Sequence, residues 1–175
     1  MKKTEFLVIR RAQKNDLPIL GKLGASLAKA HHAWDPQRFF VVPKMHEGYS
    51  WWLGKELKNK QAVILVAERA KKVVGYAYGR IEPRDWNALR EACGIGVDLI
   101  VEPKARRTGA GQLLADELMK ALEELGAPRV ILYTSAKNTY AQRFFAAMGA
   151  RATMVELTLE LTPGSEPKAT RKTHR

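Results

Sequence analysis

Apolar positions change their spacing several times along the chain, and each change predicts an element. Phe6 to Arg11 is a short apolar run that reads as a strand. Asp16 followed by Pro18 then gives a helix start, leading into LPILGKLGASLAKAHH. Asp35-Pro36 marks a turn, after which HEGYSWWLGKELKNK resumes helical spacing with Tyr49, Trp52, Leu53 and Leu57 on one face. Ala62 to Glu68 and Val73 to Ile81 are rich in β-branched and aromatic residues and are joined by the charged turn RAKK, which predicts an antiparallel hairpin. Gly96 to Val101 reads as a further strand, stopped by Pro103. In GQLLADELMKALEEL, residues Leu114, Leu118, Leu122 and Leu125 recur at helical spacing, and Gly126 and Pro128 end the helix. RVILYT then reads as a buried strand, NTYAQRFFAAM as a short helix closed by Gly149, and ATMVELTLEL as a last strand with period-two alternation. The predicted order is β α α β β β α β α β. A hairpin combined with a βαβ unit implies an α/β fold of the mixed α+β kind, with helices on the faces of a mixed sheet.

Composition narrows this picture. A chain of 175 residues suffices for one domain with a real core, expected over residues 1–161. The last stretch, TPGSEPKATRKTHR, carries Lys168, Arg171, Lys172 and Arg175 against Glu166 and almost no apolar residue, so 162–175 is expected to be a disordered basic tail. No apolar run approaches the roughly 18 residues of a membrane span, and the N-terminus lacks the apolar core of a signal peptide. Cys93 is the sole cysteine, which excludes an internal disulfide or a multi-cysteine metal site and suits a reducing cytoplasm. Four histidines form no metal set: His31 and His32 share a helix end, while His46 and His174 stand alone. The formal net charge of +12 favours an anionic partner, whether nucleic acid, acidic protein or a phosphorylated small molecule.

The junction of the third predicted helix with the strand before it decides among these. Arg106-Arg107-Thr108-Gly109-Ala110-Gly111 falls where free backbone N–H groups and a positive dipole end are expected. Gly109 and Gly111 lack the Cβ atoms that would block close approach, and two arginines add donors suited to phosphate oxygens. The alternative is a basic surface turn made flexible by glycine. A Walker A loop is disfavoured because Gln112-Leu113 follows the last glycine in place of Lys-Ser/Thr. A dinucleotide fingerprint is disfavoured because Leu114 replaces the third glycine and RVILYTS supplies no acidic residue.

The loop reads R-x-x-G-x-G from Arg106 to Gly111, after Val101 and Pro103, with Asn138-x-x-Ala141 and RFFAAMGA downstream. In this combination the sequence resembles the GNAT superfamily of acetyl-CoA-dependent N-acetyltransferases. The resemblance implies a mostly antiparallel sheet of six to seven strands flanked by about four helices. It implies that backbone groups of Arg106, Arg107, Thr108, Gly109, Ala110, Gly111 and Gln112 hold the CoA diphosphate, with no metal. It further implies that the backbone of Ile100 and Val101 pairs with the pantetheine arm like an added strand, and that Asn138 contacts that arm; asparagine is also a common helix N-cap.

Catalysis is less complete in the sequence. Acetyl transfer to an amine needs a neutral nucleophile, donors for the oxyanion and a proton for the departing thiolate. The tyrosine that many members use as acid is Phe145 here, which leaves Tyr140, Tyr133 or water, or an unassisted thiolate. VDLIV resembles the EDLYV strand of polyamine-type and small-amine members: Asp98 matches, as a base acting through water or as a structural carboxylate, while Val97 replaces the glutamate. Glu82, Asp85 and Glu91 are candidates for holding an amine near the acceptor mouth, or plain solvated charges. Trp34, Asp35, Arg38, Phe39, Phe40, Trp51 and Trp52 are candidates for a lid or for core. The resulting reading is a cytoplasmic N-acetyltransferase in which a primary amine of a small molecule or protein attacks the thioester directly. The alternative is an acyl-CoA-binding regulatory or nucleic-acid-associated protein of the same fold without efficient turnover. An exposed late strand makes a homodimer reasonable.

Overall fold

The computed structural model describes residues 6–161; the basic tail at 162–175 lies outside them. Its elements run β1 (Leu7–Arg11), α1 (Leu17–Trp34), α2 (Met45–Glu56), β2 (Ala62–Arg69), β3 (Lys72–Glu82), β4 (Cys93–Val101), α3 (Ala110–Glu124), β5 (Val130–Leu132) and α4 (Thr139–Ala147). The five strands form one sheet in the order β1-β2-β3-β4-β5, antiparallel throughout except for the parallel pairing of β4 with β5. The expected mixed, mostly antiparallel sheet with four helices is therefore present, with fewer strands than the six or seven anticipated.

The difference lies in the last predicted strand. ATMVELTLEL has the alternation of a strand, yet residues 151–161 form no regular secondary structure and are exposed throughout. Alternation records which side chains share a face; it does not supply a neighbouring strand to bond with. The other elements agree in type with their patterns, but RVILYT, expected as a buried strand, forms only the three half-buried residues of β5, and several ends differ. β4 begins at Cys93, three residues earlier than predicted, because Cys93, Gly94 and Ile95 pair with Glu82, Ile81 and Arg80. Asp16 stands at the start of α1 without capping it, since its carboxylate accepts from Arg10 and from the Gln13 amide instead.

Two packed layers hold the sheet. On one face α3 lays Ala110, Leu114, Leu118, Ala121 and Leu122 against Val63, Leu65, Ala67 and Ala77, a wholly aliphatic core. On the other, α1 and α2 set Leu20, Leu23 and Leu53 against Ile64, Val66, Tyr76, Tyr78 and Ile100. Ala62, Ile64 and Val66 of β2, Tyr76 and Tyr78 of β3 and Ile100 of β4 face α1 and α2, as a period of two requires, while beside the register shift at Ala67 and Glu68 it is Val73 that joins this face and Val74 the α3 face. This second face contains the polar groups described next.

Candidate functional site

β4 is the spine of the site. Its pairing with β3 skips one residue: Tyr78 lies opposite Asp98 and Gly79 opposite Gly96, leaving Val97 as a bulge. Its pairing with β5 covers only Gly94, Ile95 and Gly96. From residue 97 to 101, β4 therefore runs on without a strand on its β5 side among the described residues. On that side the Val101 amide is available to an extended ligand, while its carbonyl accepts from Arg106 and the backbone groups of Ile100, expected to take part, face β3. Just past β5, the Thr134 hydroxyl is buried and has no hydrogen-bond partner among the described residues.

This open edge leads into the helix junction. A short 3-10 turn at Pro103–Ala105 follows β4, and α3 starts at Ala110 with Gly109 as its N-cap at φ +87°. Arg107 is also left-handed, at φ +61°. Thr108 donates its hydroxyl to the Ala105 carbonyl at 2.7 Å, and Arg106 donates Nε to the Val101 carbonyl at 3.2 Å, so both side chains pin the loop. The first helical amide with a backbone acceptor is Leu113, which donates to the Gly109 carbonyl at 3.0 Å. Among the described residues the amides from Arg107 to Gln112 donate to no other group, and they converge on the positive end of α3.

The two glycines differ in an informative way. Gly109 needs its missing side chain for conformation alone, because a left-handed residue with a Cβ is strained. Gly111 has no such excuse. A Cβ there would meet only Val101 Cγ2 at 3.8 Å, an ordinary contact, and glycine inside a helix costs up to about 1 kcal/mol. Nothing in the chain requires glycine at 111, and the space beside it is open. That space, the free amides and the two arginines fit an anionic diphosphate whose extended arm continues along β4. Gln112 turns its own side chain away, donating to Asp116 at 2.8 Å. Asn138 caps α4, its Oδ1 accepting from the Ala141 amide at 3.1 Å, and its amide nitrogen has no partner among the described residues.

Asp98 lies three residues before Val101, about 10 Å along the strand, on the face covered by α1 and α2. It is buried, and the Tyr76 hydroxyl donates to its Oδ2 at 2.7 Å. Its other oxygen makes no hydrogen bond among the described residues and is not sealed from solvent. Burial raises the Asp98 carboxyl to about 6, an effect opposed by the Tyr76 hydrogen bond and by the nearby His31. The same burial, reinforced by the Asp98 charge, pushes the Tyr76 phenol far above its usual value and the Tyr49 phenol up to about 12. Four elements thus deliver one polar cluster: Asp98 from β4, Tyr76 from β3, Tyr49 from α2 and His31 from α1. Sequence reasoning found only Asp98. The signal for Tyr76 was cross-strand: it pairs with Ile100, so its side chain stands on the same face as Asp98, one pair away.

Other candidates are placed differently. Tyr140 and Tyr133 are 74% and 70% exposed, and neither makes a side-chain hydrogen bond among the described residues that would fix its hydroxyl. Glu82 is held by Arg80, Glu91 by Arg84, and Asp85 by the Asn87 and Ala88 amides. These carboxylates belong to the β3–β4 turn, at the opposite end of β4 from α3. The aromatic group divides in two. Trp34 and Phe39 pack edge-on against His31 at 5.1 and 5.0 Å, beside the Asp98 cluster, and Trp52 packs on Tyr78. Trp51 is exposed under Lys55 and lines a separate shallow cavity of about 450 Å³ with Gln13, Lys14, Leu17 and Lys58. Among the described residues no three His, Cys, Asp or Glu side chains gather as a metal site, and no helix is long and apolar enough to cross a membrane.

Comparison with known proteins agrees with this geometry. A mycothiol acetyltransferase from Pseudarthrobacter chlorophenolicus is 31% identical over 88 residues, covering 49% of this chain and 26% of the relative. The chain thus matches about a quarter of the length of that relative. The fold is shared with a mutant of the BH1408 protein from Bacillus halodurans, at a TM-score of 0.75 and 18% identity over 89% of this chain and 99% of that one. It is shared as well with the aminoglycoside N-acetyltransferase AAC(6')-Iy solved in complex with CoA, at a TM-score of 0.74 and 17% identity over 92% and 98%. The family profile described as Acetyltransferase (GNAT) family matches residues 27–150, a span that holds β4, the α3 junction and Asn138, and the chain belongs to that family.

Proposed function

We propose that this chain transfers an acetyl group from acetyl-CoA to a primary amine, with the diphosphate at the start of α3, the pantetheine arm along β4 and the amine beside Asp98. The observation that carries the reading is the continuity of three features: the free edge of β4 from 97 to 101, the unpaired amides from 107 to 112, and a buried carboxylate about 10 Å back along the same strand.

Acetyl-CoA supplies an activated acyl group as a thioester. The chain's own residues do the rest. The amides from Arg107 to Gln112, with Arg106 and Arg107, bind the anionic end, and the Asn138 amide nitrogen faces the arm. A β4 backbone N–H next to the Val97 bulge donates to the oxygen that gains charge during attack. Asp98, raised to about 6, is mostly ionised at neutral pH and close enough to neutrality to accept a proton from an ammonium through a water on the oxygen that Tyr76 leaves free. Tyr76 holds the carboxylate in place. His31, Trp34 and Phe39 form an apolar and aromatic wall around the acceptor, which favours a small amine. With Tyr140 in solvent and phenylalanine at 145, the thiolate leaves on its own low basicity or takes a proton from water. A free buried cysteine suits the reducing setting expected of a cytoplasmic enzyme.

The test is release of free thiol from acetyl-CoA across a panel of amines. Turnover that depends on both substrates is expected. Tight CoA binding with no thiol release from any amine would instead support a regulatory acyl-CoA binder.

A further inference from the structure

Acetylation of an ammonium by a thioester gives an amide, a thiol and one free proton. The nitrogen sheds two protons in all; one ends on the thiolate, and the other has to leave the site. Asp98, which takes that proton first, is only 7% exposed, and an amine bound beside it covers it further. Its hydrogen-bond partner among the described residues cannot carry the proton away, because the Tyr76 hydroxyl already donates to the carboxylate at 2.7 Å. A buried acceptor of this kind needs a second group to discharge it.

His31 stands beside it. On α1 it follows Leu20, Gly24 and Leu27 along one stripe of the helix, and Leu20 and Leu27 of that stripe pack into the layer that holds Tyr76 and Ile100. Its Nδ1 lies 2.9 Å from the Leu27 carbonyl. A carbonyl only accepts, so Nδ1 carries the hydrogen and the lone pair of the neutral ring is on Nε2. Trp34 and Phe39 pack edge-on against the ring and restrict its rotation. Nε2 makes no hydrogen bond among the described residues, and the residue is half-buried, between the site and solvent. The ring also lies in the last turn of α1, where the negative end of the helix dipole favours an imidazolium. Two cations beside this end of the helix are engaged elsewhere, Arg38 by Glu156 and Lys137 by the Trp34 carbonyl at 2.6 Å.

We propose that His31 is the proton outlet of the site, its Nε2 taking from Asp98 the proton that the amine gives up and releasing it to water, a role that rests on the reading of Asp98 as first acceptor. The steps balance. An N–H bond of the ammonium breaks as an O–H bond forms on Asp98 through the intervening water. That O–H bond breaks as Nε2–H forms, and the imidazolium then loses a proton to solvent, which returns both groups to their starting state. No electrons change hands. His32 does not share the role: it points about 100° away around the helix, and its Nδ1 is 2.6 Å from the Phe39 carbonyl.

The test has one arm that needs no turnover. Nitrogen NMR of the free full-length chain shows neutral His31 as the Nδ1–H tautomer; the Nε2–H tautomer overturns the proposal. The other arm is thiol release with an amine that the wild-type chain acetylates. His31→Asn, whose side-chain amide can still donate to the Leu27 carbonyl, lowers kcat at least about 10-fold and leaves KM for the amine within about 2-fold. In His31→Ala, added imidazole restores most of the lost rate, while the wild-type rate does not respond. A small base can replace a proton carrier but not a wall of the pocket. Wild-type kcat in His31→Asn overturns the proposal, and so does a loss that imidazole leaves unrepaired, which would assign His31 to packing. If the wild-type chain acetylates no amine, the reading of the site fails and the outlet with it; an active wild type with an unrepaired variant fails the outlet alone.

Discussion

The two faces of the sheet are built to different rules. The α3 face is aliphatic, with Leu114 and Leu122 fully buried between the helix and the small residues of β2 and β3. The α1 and α2 face is equally buried but carries a carboxylate, two inward phenols and a histidine within one packed layer. Burying a carboxylate is costly and stability does not call for it. The contrast separates a face built only for packing from one that carries a buried carboxylate at a cost in stability, with β4 shared by both.

Substitutions on the two faces should then fail in different ways. The largest effect is expected from Leu122→Ala on the α3 face, a loss of about 2–5 kcal/mol in urea unfolding. Next comes Asp98→Asn on the other face, with kcat/KM down about 100-fold and the acid limb near pH 6 removed from the pH profile. Its stability should move the opposite way. The folded carboxyl titrates at about 6 against 3.8 in the unfolded chain, so the stability gained from its proton is full below 3.8 and lost as pH rises through about 6. At pH 7 the asparagine variant should be more stable by up to about 3 kcal/mol.

The smaller effects refine the same contrast. Gly111→Leu should weaken CoA binding at least about 10-fold by calorimetry, while leaving unfolding unchanged or improved by up to about 0.8 kcal/mol. Gly109 is a poorer probe, since its left-handed backbone strains any replacement. Tyr76→Phe removes the donor that favours the charged carboxylate, so the acid limb of the activity profile should move to higher pH with a modest fall in rate. Asn138→Ala should cost about 1 kcal/mol as a lost cap, seen as faster amide exchange in the first turn of α4. A Leu122→Ala variant with wild-type stability, or an Asp98→Asn variant with wild-type rate, would break the division between the faces.

The sequence carried whatever depends on neighbours along the chain. The strand, glycine-rich loop and helix from β4 to α3 were readable because Pro103, Gly109 and Gly111 act locally. The Val97 bulge, the short β4–β5 pairing and the Tyr76–Asp98 contact were not, because register between strands is set across the sheet. Alternation in residues 152–161 predicted a strand that is not formed, because alternation supplies no neighbouring strand to bond with. Phe145 at the position where the resemblance expects a tyrosine was legible in the sequence; that Tyr140 lies 74% exposed was not, because exposure depends on what packs over α4.

The central claim is that the free amides opening α3 hold a diphosphate. A crystal structure of the chain with CoA tests it most directly. The account predicts diphosphate oxygens about 3 Å from backbone nitrogens between Arg107 and Gln112, with the arm running beside residues 97 to 101. A diphosphate seated elsewhere, with those amides left to solvent, would contradict it.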